Sequence, residues 1–183
     1  MPNNLFLTGR IRSGKSTLLK EVVDPIKNQT GGFFVQRLFV GGESRAFRLV
    51  DIAVEDYWPN REVQALDSFA DLIALSGEKR MVYPDVFRTV GVSALKQAAA
   101  TKRLVLMDEL GRLELKVPEF IETVLATLDR EMPVLGVLKK ESNSFLDQIK
   151  GRPDVTVLDL DVWDRYKVKE KIQEFVKDNF KPE

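Results

Sequence analysis

Gly9-Arg10-Ile11-Arg12-Ser13-Gly14-Lys15-Ser16 is the stretch on which the reading of this chain turns. It spells G-x-x-x-x-G-K-S, the pattern of a phosphate-binding loop. Asn4-Leu5-Phe6-Leu7-Thr8 before it is apolar, and residues 3–9 read as a strand. Residues 14–27 after it read as a helix, with Leu18, Leu19, Val22 and Val23 on one side. A loop between a strand and a helix N-terminus turns its backbone N–H groups toward an anion. The residue types suit a triphosphate. Gly9 and Gly14 let the backbone bend and approach closely. Arg10, Ile11, Arg12 and Ser13 supply further loop amides. Lys15 can reach the β- and γ-phosphates, Ser16 offers a hydroxyl to Mg²⁺, and Thr17 lies in reach of the α-phosphate.

Composition narrows the chemistry. The chain has 183 residues and reads as one domain, residues 1–183, with no repeat, linker or boundary. Its 28 basic and 28 acidic residues cancel, which argues mildly against nucleic acid as a partner. It has no cysteine and no histidine. Thiol nucleophiles, serine–histidine triads and Cys/His zinc sites are therefore excluded. A general base must be a carboxylate, a lysine, a tyrosine or the substrate, and a metal must be held by oxygen, which suits Mg²⁺. No apolar run approaches a membrane span, and Met1-Pro2-Asn3-Asn4-Leu5 carries no basic leader, so a cytoplasmic protein is expected.

Working outward along the chain, Phe33–Val40 and Arg45–Val54 flank Gly41-Gly42 and read as a hairpin. Asp56–Asn60 reads as a loop. Leu66, Phe69, Leu72 and Ile73 fall at helical intervals and predict a helix over 63–75. Ser76–Arg80 reads as a polar turn, Met81–Tyr83 as a brief strand and Asp85–Thr101 as a helix weakened at Gly91. Arg103–Glu109 is a continuous apolar strand ending in two carboxylates, the look of a buried parallel strand. Pro118 opens a helix, and Pro133–Leu138 is a strand. Phe145–Lys150 reads as a short helix, Val155–Leu160 as a strand and Lys167–Phe180 as a C-terminal helix. Strand and helix alternate at both ends. The expected fold is therefore an α/β three-layer sandwich on a mostly parallel sheet, with an antiparallel hairpin inserted near 33–54. In such sheets ligands sit at the carboxyl ends of the strands, where the loop and Asp108-Glu109 would meet. Asp108 would then hold Mg²⁺ opposite Ser16, and Glu109 would orient an attacking water.

Leu106-Met107-Asp108-Glu109-Leu110-Gly111-Arg112-Leu113-Glu114-Leu115 resembles the D-E-I-G-x-M-E-L segment of the THEP1-type nucleoside-triphosphatases. Gly32-Phe33, Phe47–Asp51, Phe120 and Val134-Leu135-Gly136-Val137 fit the same family in order, so the likeness spans nearly the whole chain. It implies a P-loop fold and hydrolysis of ATP, GTP and other nucleoside triphosphates to diphosphate and phosphate. Lys15, Asp108, Glu109 and Glu114 carry over by position. The loop departs from the family's G-x-P-G-x-G-K-T-T. Ile11 replaces proline, Arg12 replaces glycine and Ser16 replaces threonine. Arg12 enters positive φ less cheaply than glycine, so the loop either changes shape or gains charge beside the phosphates. Ser44 stands where the family has a hairpin arginine, with Arg45 one residue off and so on the other face. A late N-R-D motif near the nucleobase corresponds to Trp163-Asp164-Arg165, which makes Asp164 and Arg165 candidate nucleotide contacts. Trp163 either stacks on the base or packs. Arg10, Arg12, Arg45, Arg112 and Arg165 are candidates to stabilise charge on the transferring phosphoryl group, with Arg112 and Arg12 nearest the two motifs.

The expected function is Mg²⁺-dependent triphosphate hydrolysis, with Lys15, Glu109 and Arg112 catalytic. Two rivals share the loop. One is a nucleotide or small-molecule kinase, for which Lys79, Arg80 and Arg88 are too few to mark a lid. The other is a nucleotide-binding regulatory or nucleic-acid adaptor module with slow hydrolysis. The oligomeric state is open.

Overall fold

The computed structural model describes residues 3–77 and 80–180. Lys79, weighed above as part of a lid, lies outside the described residues, as does Glu78 of the expected polar turn. The first strand, β1, is Asn4–Thr8, and the helix behind the glycine-rich loop, α1, is Lys15–Val23. A 3₁₀ segment, Asp24–Gln29, leads into β2, Thr30–Val40, which turns back as β3, Glu43–Asp51. Short strands β4 (Asn60–Glu62), β5 (Leu72–Leu75) and β6 (Met81–Val82) follow. Then come α2 (Val92–Thr101), β7 (Leu104–Leu110), α3 (Pro118–Leu128) and β8 (Val134–Leu138). The chain closes with α4 (Ser144–Lys150), β9 (Val155–Asp159) and α5 (Arg165–Asn179).

These strands make one sheet in the order β6-β5-β3-β2-β7-β8-β1-β9, with β4 pairing β2 beyond the reach of β7. From β2 to β9 every neighbouring pair is parallel, whereas β3, β5 and β6 extend the sheet antiparallel. Strand alternation sends side chains to two separate cores. Leu5, Leu7, Leu104, Leu106, Leu135 and Val137 face α1 and α5. Phe6, Val105, Met107 and Val134 face α2, α3 and α4. This is the expected α/β three-layer sandwich. It also sets the site: Asp108, two residues beyond Leu106, points to the α1 side, where the loop delivers its helix.

Three local expectations need correction. The predicted helix over 63–75 is irregular chain that ends in β5. Phe69 is held under the guanidinium of Arg48 at 4.8 Å, and Leu72–Leu75 pairs with β3 on one side and β6 on the other. The hairpin starts earlier and ends earlier than 33–54, and β2 is more than an insertion. Its first half, from Thr30 to Phe34, pairs with β7 as a full member of the parallel sheet. The 14–27 helix stops as an α-helix at Val23, because Pro25 lacks the N–H that would continue the ladder.

Candidate active site

Gly14 ends the loop at φ 86° and Gly9 begins it at φ 141°. Gly14 is also hemmed in from outside. A Cβ there would lie 2.3 Å from an Arg165 guanidinium nitrogen, which itself donates to Gly14 O at 3.3 Å. Arg12 takes φ 64°, the left-handed conformation that favours glycine. Within this ring the Lys15 ammonium donates to Gly9 O at 2.9 Å, Arg10 O at 2.8 Å and Ser13 Oγ at 3.3 Å. Burial lowers the Lys15 pKa, and the nearby carboxylates Glu109, Asp108, Asp161 and Asp159 oppose that shift. The loop's outer side is tied to the chain after β9. Arg10 N donates to Asp161 Oδ2 at 2.9 Å, and Lys140 pairs with both Asp159 at 2.8 Å and Asp161 at 2.9 Å.

Asp108 lies at the end of the apolar run of β7 and is 1% exposed. The Ser16 side chain lies close enough to this carboxylate to lower its pKa, so the loop and the strand end come together. Burial pushes the Asp108 pKa up to about 7, the hydrogen bond from Tyr57 and the nearby Ser16 hydroxyl pull it down, and the Glu109 charge adds to the rise. A register shift follows Asp108, so that Asp108 pairs Val137 and Leu110 pairs Leu138. Glu109, in that irregularity, is partly exposed and faces Lys139 at 3.5 Å. Beyond it Gly111 N donates to the buried Glu114 carboxylate, and Asn143 Nδ2 donates to Gly111 O at 3.1 Å. That carboxylate clamps the turn that carries Arg112, which is exposed.

The remaining candidates fall at the rim. Arg10, Ile11, Arg12 and Thr17 are exposed. Asp164 caps α5, accepting from Tyr166 N at 2.9 Å and Lys167 N at 3.3 Å. Trp163 is half exposed, with the Lys171 ammonium 5.3 Å from its ring. Arg45 pairs with Glu43 at 2.6 Å on the hairpin, away from the loop. A cavity of about 490 Å³ flanks the loop, lined by Thr8, Lys140, Glu141, Lys150, Val157 and Asp159.

Two buried polar residues escaped the sequence reading. Tyr57, 2% exposed, donates its hydroxyl to Asp108 Oδ2. Arg48, 5% exposed, binds Asp71 through two nitrogens, at 2.9 and 2.7 Å, and also binds Glu55. Period-two alternation along β3 is a signal that would have found Arg48, but nothing in sequence marked Tyr57 within its loop.

The donor set suits a hard cation. Asp108 and Ser16 present oxygen only, and among the described residues no group of three or more carboxylates forms a ready-made cage. Mg²⁺ characteristically uses one or two protein oxygens and completes its shell with water and phosphate.

A family model described as NTPase matches residues 4–173. The chain belongs to this NTPase family. It is 28% identical to the nucleoside-triphosphatase THEP1 of Thermotoga maritima over 175 residues, covering 96% of each chain. It is 30% identical to that of Thermotoga petrophila over 157 residues, covering 85% of this chain and 83% of the relative. Among solved structures, THEP1 from Aquifex aeolicus superposes with a TM-score of 0.71 at 18% identity, covering 95% of this chain and 99% of that one. A human cancer-related nucleoside triphosphatase superposes at 0.72 with 21% identity, covering 96% and 97%. Both share the fold of this NTPase. None of its described helices is long and apolar enough to cross a membrane.

Proposed function

We propose that this NTPase hydrolyses nucleoside triphosphates, ATP and GTP among them, to diphosphate and phosphate in a Mg²⁺-dependent reaction in the cytoplasm. The observation that carries the reading is the approach of Ser16, at the end of the phosphate loop, to buried Asp108, at the end of β7. Two chain segments far apart in sequence bring a hydroxyl and a carboxylate to one point beside Lys15.

On binding, Lys15 exchanges its contacts with Gly9 O, Arg10 O and Ser13 Oγ for β- and γ-phosphate oxygens. The amides from Arg10 to Thr17 surround the phosphates. Ser16 and Asp108 would hold Mg²⁺, which when bound neutralises charge on the β- and γ-oxygens. Glu109 accepts a hydrogen bond from the attacking water and aims its oxygen at the γ-phosphorus, with Lys139 holding the carboxylate. Arg112, on the turn clamped by Glu114, is placed to meet charge that develops on the γ-phosphoryl oxygens. Arg165, which reaches Gly14 O, and its neighbour Asp164 would contact the nucleoside. Most of the rate enhancement then comes from positioning and preorganised charge.

The test is phosphate release from ATP, GTP, CTP and UTP with Mg²⁺, in wild type, Lys15→Ala and Glu109→Gln. Release by wild type from several bases, reduced about 100-fold or more in both variants, is expected. A wild type that binds triphosphate yet releases no phosphate above background would overturn the hydrolase reading. Transfer to an acceptor would then identify a kinase.

A further inference from the structure

Tyr57 belongs to none of the motifs, and its surroundings make its position unusual. It lies on the segment between β3 and β4, whose neighbours look outward: Val54 is 76% exposed and Trp58 57%. Tyr57 is the fully buried residue of that segment. Its ring packs against Phe34 of β2 with centroids 5.1 Å apart, and its hydroxyl donates to Asp108 Oδ2. The Ser16 side chain lies beside both, so that three side chains from three distant segments gather at one point.

The segment is tied down on either side of the tyrosine. Before it, Glu55 is held by the buried Arg48 guanidinium at 2.5 and 3.2 Å. After it, Gln36 Nε2 donates to Trp58 O at 2.7 Å and Arg37 N donates to Pro59 O at 2.8 Å. The phenol is thus delivered by rigid neighbours.

A carboxylate turns easily about its last torsion, whose minimum is broad. Left alone, Asp108 could rotate either oxygen toward Ser16 or away. A donor fixed on Oδ2 removes that freedom and satisfies the oxygen that faces the core, so the carboxylate's remaining capacity stays aimed at the loop. Partners of this kind around metal ligands commonly tune metal affinity strongly.

We propose that Tyr57 is a positioning residue for the divalent cation, orienting Asp108 through its phenol; the proposal rests on the reading that Ser16 and Asp108 hold that cation. Its ring fills the core beside Phe34, and its hydroxyl sets the metal affinity.

The test is Mn²⁺ titration, followed by electron paramagnetic resonance, into the complex of full-length protein with a non-hydrolysable ATP analogue. Wild type, Tyr57→Phe, Phe34→Leu and Asp108→Asn are compared, with analogue affinity in EDTA and thermal melting recorded for each. Tyr57→Phe keeps the ring and is expected to weaken Mn²⁺ binding by about 10- to 100-fold. Its metal-free analogue affinity is expected to stay within about twofold of wild type, because the phenol is hydrogen-bonded to Asp108 and its ring packs on Phe34. Phe34→Leu loosens the packing and lowers the melting temperature while Mn²⁺ affinity holds. Mn²⁺ affinity within about twofold of wild type in Tyr57→Phe would overturn the proposal. So would a Phe34→Leu loss equal to that of Tyr57→Phe, since packing alone would then explain it. If Asp108→Asn binds Mn²⁺ as wild type does, the underlying assignment of the cation site fails instead, and the proposal falls with it.

Discussion

Arg12 has φ 64°, alone in the left-handed region among the described non-glycine residues. An L-residue with a Cβ pays about 1–2 kcal/mol for that conformation. Glycine avoids it but loses about 0.5–1 kcal/mol through its freer unfolded chain. Arg12→Gly should therefore gain about 0.5–1 kcal/mol and raise the melting temperature by a few degrees. Thermal denaturation without ligand checks this. An unchanged or lower melting temperature would mean that the Arg12 side chain itself steadies the loop. The two residues that the sequence left unmarked also belong at this scale. A single tyrosine in a loop has no spacing that announces it, and its partner Asp108 lies 51 positions away. By contrast, Lys15, Ser16 and Asp108 were legible because the roles proposed for them require fixed residue types next to a strand end or a helix start. Arg12 shows the reverse limit. Its identity signalled a departure, but only the backbone shows that the departure is absorbed as local strain.

The turn after β7 works as an element because one buried carboxylate organises it. Glu114 accepts from Gly111 N, and Gly111 is closed over by the Lys139 stem, which would lie 2.6 Å from a Cβ at that position. Burial raises the Glu114 pKa above 4.5, with the Gly111 hydrogen bond opposing the shift. The folded protein therefore holds that proton more tightly than the unfolded chain does. Stability from this group is fully present below the unfolded pKa and is lost as pH rises through the folded one. Glu114→Gln cannot ionise, so its stability relative to wild type should improve as pH climbs above about 4.5, with a slope of at most about 1.4 kcal/mol per pH unit. Urea denaturation of both proteins across that range measures the difference. A difference that stays flat with pH would show that Glu114 titrates alike in both states. Elements also explain the main misreading. Leu66, Phe69, Leu72 and Ile73 mimic helical spacing, yet a four-residue strand is too short for its alternation to outvote that pattern. Arg48 settles the matter, since Phe69 serves as the platform beneath its guanidinium and Asp71 as its bidentate partner.

Across the whole molecule, the glycine-rich loop joins the two halves of the fold. It follows β1, near one edge of the sheet, and meets β7, two strands away, through Ser16 and Asp108. Arg165 of α5 closes on Gly14 from the other side. The alternation of apolar strands and amphipathic helices made this three-layer plan legible, because each strand faces a helix on both sides and must read as apolar throughout. The antiparallel extension was less legible, since β4 and β6 are two or three residues long and exposed. A ligand held at this junction contacts elements from the first strand to the last helix, so its binding energy should appear as global stability. At 100 times its dissociation constant, a triphosphate analogue with Mg²⁺ adds about 2.7 kcal/mol. For a chain of this size that corresponds to a rise of roughly 5–10 °C in melting temperature. Lys15→Ala removes the ammonium at the centre of the loop and should abolish most of the rise while leaving the ligand-free fold intact. It also removes a buried charge whose burial opposes its ionisation. Scanning calorimetry of both proteins over a ligand series checks the prediction. An equal rise in Lys15→Ala and wild type would mean that the analogue binds elsewhere, and the loop would lose its claim to the phosphates.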